Sequence, residues 1–239
     1  MIFAAILAGG IGNRIGYTQP KQFINIGGKP ILIHSIEKFL KVNEIDKIVV
    51  SSPKNYIKTT KKLTNQYFNN NEKIVVIKGG KTRNNTILNS IDYVKNNFNE
   101  GDHILITHDA ARIFVSPKLI RKSITELKKY NASSAVIPTV DVIFKTTENK
   151  LKEIPLRKNL VNAQTPQSFK INKFLELYST LNEDETKKLD EAMMLFYLRN
   201  EEVSLFDGDP NNFKITKEID LKIAETLLNE IYTPRGYDD

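Results

Sequence analysis

Short unbroken apolar runs alternate along the chain with longer stretches in which apolar positions recur every three or four residues. The first run, Ile2–Leu7, predicts a strand buried on both faces. Similar runs at 47–50, 73–77, 103–107 and 134–137 predict further strands. Helical spacing fills the intervals at 33–41, 53–68, 84–98 and 117–130, with Pro117 where a first helical turn tolerates proline. Continuous apolar strands separated by helices predict an α/β fold, with a Rossmann-like, mostly parallel sheet flanked by helices.

The pattern changes over residues 139–160, TVDVIFKTTENKLKEIPLRKNL, where two short apolar alternations flank a Glu-Asn turn. This predicts a β-hairpin leaving the main sheet. Helices at 172–178 and 189–198, a strand at 203–206 and a last helix at 217–231 follow. The expected organisation is a single domain over 1–232, a projecting hairpin at 139–160 and a frayed tail at 233–239.

Ligands of open α/β sheets sit beyond the C-terminal ends of the strands. That placement brings together the loop after Leu7, the segments 78–83 and 108–113, and the segment 164–167. The first of these lies in LAGGIGNRIGYTQPKQF, residues 7–23, with four glycines, Arg14 and Lys21. Glycines let backbone N–H groups approach phosphate oxygens, and Arg and Lys supply charge to the same oxygens. The dinucleotide fingerprint starting at Gly10 fails because its sixth position is Ile15, and the acidic ribose ligand is missing. No Gly-Lys-Ser/Thr follows, so the loop is not a P-loop either.

The remaining strand-end segments carry related chemistry. KGGKTRNNT, residues 78–86, repeats glycines, cations and hydroxyls. THDAAR, residues 107–112, offers Asp109 and Arg112, and AQTPQSF, residues 163–169, offers a hydroxyl and two amides around a proline. FKIT, residues 213–216, sets Lys214 just before the last helix, whose N-terminus favours anions. His108 has no Ser or Cys partner in a recognisable motif, and no His/Asp cluster has zinc-ligand spacing.

Composition narrows the classes. Cysteine is absent, which excludes disulfides, thiolate metal sites and a Cys nucleophile. The net charge is +7, but Lys is scattered over helix faces without interleaved aromatics, against a single-strand nucleic-acid platform. The N-terminus lacks the basic region of a signal peptide, and no apolar run approaches the roughly 20 residues that span a bilayer. A cytoplasmic protein without nucleic-acid or membrane partners is expected. An NAD-dependent oxidoreductase and a basic nucleic-acid-binding protein remain the rival classes.

In their order, the motifs LAGGIGNR…PKQF, GGKTRNNT, THDAAR, AQTPQ and FKIT resemble the cytidylyltransferases that activate sugar-alcohol phosphates. The resemblance reaches to about Leu228 and implies a GT-A-like nucleotidyltransferase architecture. Two branches are similar: one makes CDP-ribitol for teichoic acid or capsule, the other CDP-methylerythritol for isoprenoids. KPILIHSIEKFL, residues 29–40, and THDA resemble the ribitol branch, which makes D-ribitol 5-phosphate the first expectation for the acceptor. Asp190-Glu191-Ala192 lies nearer the isoprenoid branch, and 2-C-methyl-D-erythritol 4-phosphate is the alternative.

The resemblance implies that the first loop wraps the triphosphate of CTP, with Leu7, Ala8, Gly9 and Gly10 contributing backbone contacts. Arg14 and Lys21 are implied to stabilise the α-phosphorus during attack. Gly80, Lys81 and Thr86 would border the base and ribose, and Ala110 the ribose. Asp109, Arg112, Arg157, Thr165 and Lys214 would hold the second substrate. A magnesium ion would bridge the phosphates, with Asp109 as its candidate protein ligand. The hairpin resembles a dimer arm that offers Arg157 to the partner's site. Ile113 replaces a usual proline, and Val142 replaces a usual threonine, which removes one hydroxyl from the expected acceptor contacts.

Overall fold

The computed structural model describes residues 1–10 and 19–232. Arg14 and the expected tail at 233–239 therefore lie outside the described residues. The chain opens with β1 (Ile2–Leu7), then a single 3₁₀ turn at Lys21–Phe23, β2 (Asn25–Ile26) and β3 (Lys29–Pro30). α1 (Ile31–Leu40), β4 (Lys47–Ser52), α2 (Ile57–Phe68), β5 (Ile74–Lys78) and α3 (Arg83–Asn97) follow. Next come β6 (Ile104–Asp109), α4 (Pro117–Glu126), β7 (Ala132–Pro138), β8 (Lys145–Thr147) and β9 (Lys150–Glu153). β10 (Val161–Lys170), α5 (Ile171–Tyr178), α6 (Glu183–Lys188), α7 (Ala192–Leu198), β11 (Val203–Asp207) and α8 (Glu218–Tyr232) complete the described chain.

Among the described residues, one seven-stranded sheet has the order β11-β7-β10-β6-β1-β4-β5. Its pairings are parallel except for those of β10, which runs antiparallel to both β6 and β7. The fold is thus α/β with a mostly parallel sheet. The apolar run of β1 is explained by two covered faces. Ala4 and Ile6 pack with Leu32, Ile36 and Phe39 of α1 and Ile120 of α4. Phe3 and Ala5 pack with Ile87, Ile91 and Val94 of α3 and Phe174 of α5. A third cluster seats Leu221, Ala224 and Leu228 of α8 against Ile26, Ile113 and Ile215. Ile113, the residue in place of a usual proline, is fully buried there.

The hairpin expected at 139–160 forms as β8 and β9, a separate two-stranded antiparallel sheet. Glu148 and Asn149 at its tip have φ of 47° and 60°, the left-handed values that two-residue hairpin loops require. Three features of the fold were not expected from the sequence. Segment 164–167 lies in the middle of β10, with a register shift between Ala163 and Gln167 where Pro166 interrupts the ladder. The β2–β3 hairpin turns at Gly27 and Gly28, with φ of 55° and 83°, the Gly-Gly pair supplying the left-handed residues. α6 is a polar helix held by an Asn182–Glu185 capping box, without the apolar spacing that marks a packed helix.

Candidate active site

The strand ends bring two glycine loops into direct contact. The Ala8 N–H donates to the Ser51 carbonyl, and the Gly79 N–H donates to the Ser52 carbonyl, so both loops hang from the end of β4. A Cβ on Gly79 would stand 3.2 Å from the Gly9 Cα, which only glycines tolerate comfortably. Gly80 is more constrained: a Cβ there would fall 2.3 Å from the Asn85 Cβ. Thr86 braces this turn, its hydroxyl accepting from the Gly80 N–H at 3.0 Å and donating to the Thr82 carbonyl at 2.8 Å. Thr82 in turn caps α3 by accepting from the Asn85 N–H. The Ala110 N–H donates to the Leu7 carbonyl at 3.3 Å, which joins the third loop to the first. Lys81 is exposed, whereas Ala110 and Thr86 are buried.

Asp109 ends β6 and is only 9% exposed. Lys214 Nζ lies 2.9 Å from Oδ2, Arg112 Nε 3.5 Å from the same oxygen, and Arg83 Nε 3.8 Å from Oδ1. Burial alone would raise the Asp109 pKa, but the charge of Lys214, then those of Arg83 and Arg112, hold it well below the usual carboxylate range. Three cations around one carboxylate leave surplus positive charge at these strand ends. Glu191 Oε2, 3.5 Å from Arg83 Nη1, offsets part of it.

Thr165, Asp109 and His108 form a polar chain. The Asp109 N–H donates to Thr165 Oγ1 at 3.1 Å, and His108 Nε2 lies 3.0 Å from the Arg112 carbonyl. A carbonyl only accepts, so Nε2 carries the proton and Nδ1 accepts from the Thr165 hydroxyl at 3.0 Å. Burial lowers the His108 pKa to about 4, and the ring is neutral near pH 7. His108 therefore orients Thr165 instead of reacting. The Thr165 proton is already committed, so toward a ligand this hydroxyl can only accept.

Arg112 Nη1 donates to the Asn212 carbonyl at 2.8 Å, and Asn212 Nδ2 donates to the Thr165 carbonyl at 2.7 Å. These contacts tie THDAAR, β10 and FKIT into one unit. Lys21 reaches the same unit, its Nζ donating to the Ile215 carbonyl at 2.9 Å. Of the expected residues, Leu7, Ala8, Gly9, Gly10, Gly80, Thr86 and Ala110 gather on the glycine side, and Asp109, Arg112, Thr165 and Lys214 on the charged side. Arg157 is not brought to this cluster: it lies in the 3₁₀ turn after β9 and donates to the Val140 carbonyl within the arm.

The expectation of Asp109 as a magnesium ligand does not fit the donor set. Its carboxylate oxygens face two guanidinium groups and an ammonium. Among the described residues no group of three or more His, Cys, Asp or Glu could hold a metal.

Several site residues escaped the sequence reading. Arg83 touches Asp109 and Glu191 and donates through Nη2 to Gln167 Oε1 at 3.0 Å. Its signal was its place in the first turn of α3, where the helix dipole disfavours a cation and something else must hold it. Gln22 is buried at 3% exposure and donates to the Ala8 and Gly10 carbonyls. A polar amide inside PKQF carried no periodic signal.

The family model described as 2-C-methyl-D-erythritol 4-phosphate cytidylyltransferase, IspD, matches residues 2–230. Solved structures share the fold. The 4-diphosphocytidyl-2C-methyl-D-erythritol synthase of Anaerococcus prevotii superposes with a TM-score of 0.79 at 24% identity, covering 96% of each chain. The 2-C-methyl-D-erythritol 4-phosphate cytidylyltransferase of Thermus thermophilus gives 0.73 at 24% identity, covering 95% of this chain and 98% of that one. The IspD of Francisella tularensis gives 0.76 at 26% identity over 94% and 98%. These matches do not support the ribitol branch that was the first expectation; the methylerythritol branch fits better. The motif order, the mostly parallel sheet and the family match agree: the chain belongs to the IspD family of cytidylyltransferases, a family of nucleotidyltransferases that act on sugar-alcohol phosphates.

Proposed function

We propose that this enzyme transfers CMP from CTP to 2-C-methyl-D-erythritol 4-phosphate, releasing pyrophosphate. The observation that carries the reading is the pairing of a glycine-lined strand end with a buried carboxylate ringed by three cations, one loop away. The first half suits a triphosphate, which backbone N–H groups bind closely. The second half suits a polyol phosphate: Asp109 accepts from hydroxyls, and Lys214 and Arg112 hold the acceptor phosphate. A phosphate oxygen of the acceptor attacks the α-phosphorus of CTP in line with the departing pyrophosphate. Such transfers need positioning and cations more than covalent help. Arg14 and Lys21 supply positive charge where it develops. Magnesium enters with CTP as part of the substrate.

The active form in this reading is a homodimer joined by the arm at 139–160, where Val140 is 78% and Leu156 65% exposed beside Val142, Ile143 and Phe144. A contiguous apolar surface of this kind suits a protein partner. Arg157 of each arm then serves the partner's acceptor site.

The test is pyrophosphate release with CTP and magnesium against a panel of 2-C-methyl-D-erythritol 4-phosphate, D-ribitol 5-phosphate and D-erythritol 4-phosphate. The methylerythritol substrate is expected to give the highest kcat/KM, with CDP-methylerythritol as the product by mass spectrometry. A higher kcat/KM with ribitol 5-phosphate would overturn the acceptor assignment while leaving the cytidylyl transfer.

A further inference from the structure

We propose that Gln22 is a positioning residue that fixes Lys21 relative to the glycine turn; the proposal rests on the reading that Lys21 acts on the transferred phosphoryl group. The Gln22 Nε2 donates to the Ala8 carbonyl at 2.7 Å and the Gly10 carbonyl at 3.2 Å. Both partners are carbonyls, which only accept, so the amide orientation is determined by chemistry: the NH2 faces them. One side chain thereby ties both ends of segment 10–22, the stretch containing Arg14 and Lys21.

The geometry passes directly from Gln22 to Lys21. The two residues share a single 3₁₀ turn, closed by the Phe23 N–H to the Pro20 carbonyl and the Ile24 N–H to the Lys21 carbonyl, each at 3.0 Å. Phe23 stacks on Tyr56 with ring centroids 5.2 Å apart, which fixes the far end of the turn. The Lys21 ammonium then reaches the Ile215 carbonyl, next to Lys214 and its contact with Asp109. Ile215 is itself anchored by its N–H to the Ala111 carbonyl at 2.9 Å. Lys21 is therefore held by its backbone from the nucleotide side and by its ammonium from the acceptor side.

Gln22 is too buried to meet a substrate, so any effect it has on turnover passes through its neighbours. Gly10 is exposed, and water can satisfy its carbonyl if the amide is lost. The Ala8 carbonyl is buried and would be left unpaired, so loss of the amide should shift the turn and lower stability moderately without unfolding the protein.

A double-mutant cycle tests this. Gln22→Met keeps the length and volume of the side chain and removes both donations. It is expected to lower kcat about 10²-fold, the scale of a misplaced catalytic group, with a melting temperature lowered by about 2–8 °C and a folded enzyme at the assay temperature. In a Lys21→Ala background the same substitution should change kcat less than about threefold, because coupled residues do not add. An unchanged kcat in Gln22→Met, or losses that multiply in the double variant, would overturn the proposal. If Gln22→Met does not fold, Gln22→Leu, apolar and likewise without the donors, runs the same cycle. A parent enzyme that releases no pyrophosphate from CTP with any acceptor defeats the functional reading, and this inference with it. An active parent with multiplying losses defeats this inference alone.

Discussion

At the scale of single residues, burial and charge separate the groups that react from those that hold. In the proposed reaction Lys21 meets the charge growing on the α-phosphoryl oxygens, and Arg14 belongs to the same loop in sequence. Preorganised donors of this kind contribute about 10²–10³ in turnover each. Lys21→Ala and Arg14→Ala are therefore expected to lower kcat by about that factor while the KM for CTP rises much less, read from steady-state kinetics. A collapse in CTP affinity at normal turnover would make them binding groups. His108 gives a pH signature instead. Its folded pKa of about 4 lies below the ordinary 6.5, so the unfolded chain binds the extra proton between these values. Its contribution to stability is complete above pH 6.5 and is lost as pH falls toward 4, on the order of 3 kcal/mol in all. His34, lowered by burial as well, acts in the same direction. The melting temperature should fall over this window, and His108→Asn should flatten part of the fall, measured by circular dichroism at stepped pH.

At the scale of elements, β10 and the arm decide how the charged site is assembled. β10 enters between β6 and β7 and carries Thr165 to the Asp109 N–H and Gln167 to Arg83. The same strand leaves the arm, whose apolar residues have little to cover them within one chain. Replacing 142–156 by a short Gly-Ser turn is expected to give a monomer at micromolar concentration by sedimentation. In the proposed dimer it should also reduce turnover sharply, because Arg157, next to the excised segment, would no longer reach the partner's site. A dimer that survives this excision would show that the interface lies elsewhere.

At the scale of the whole molecule, one sheet sets the glycine turns that follow β1 and β5 beside the charged cluster carried by β6 and β10. Gly9 and Gly79 approach closely and Gly80 packs against Asn85, and in the proposed reading this turn borders the base. CTP is expected over UTP, ATP and GTP. A wrong base that leaves one buried donor or acceptor unpaired costs about 1–3 kcal/mol, or roughly 5- to 150-fold in kcat/KM. Equal kcat/KM for CTP and UTP would reject this base selection.

What the sequence determined by itself is what local pattern and order can encode. Covering both faces of a parallel sheet requires unbroken apolar strands, so β1, β4 and β6 were legible, as were the helices between them. Glycines and cations just after β1 and β5 marked both glycine loops, and the order of five motifs identified the family. The arm was legible from its Glu-Asn turn. Tertiary structure alone decided the rest, because it depends on contacts distant in the chain. The polar, proline-broken β10 forms a strand only because β6 and β7 flank it and satisfy its backbone. Arg83 joins the site because α3 starts opposite Asp109, 26 positions along the chain, and Lys214 joins it from 105 positions away. Gln22 acquires its partners only when the two ends of one loop meet. Single-residue chemistry names the groups available, but which carboxylate faces which cation is fixed by the packing that brings their strands together.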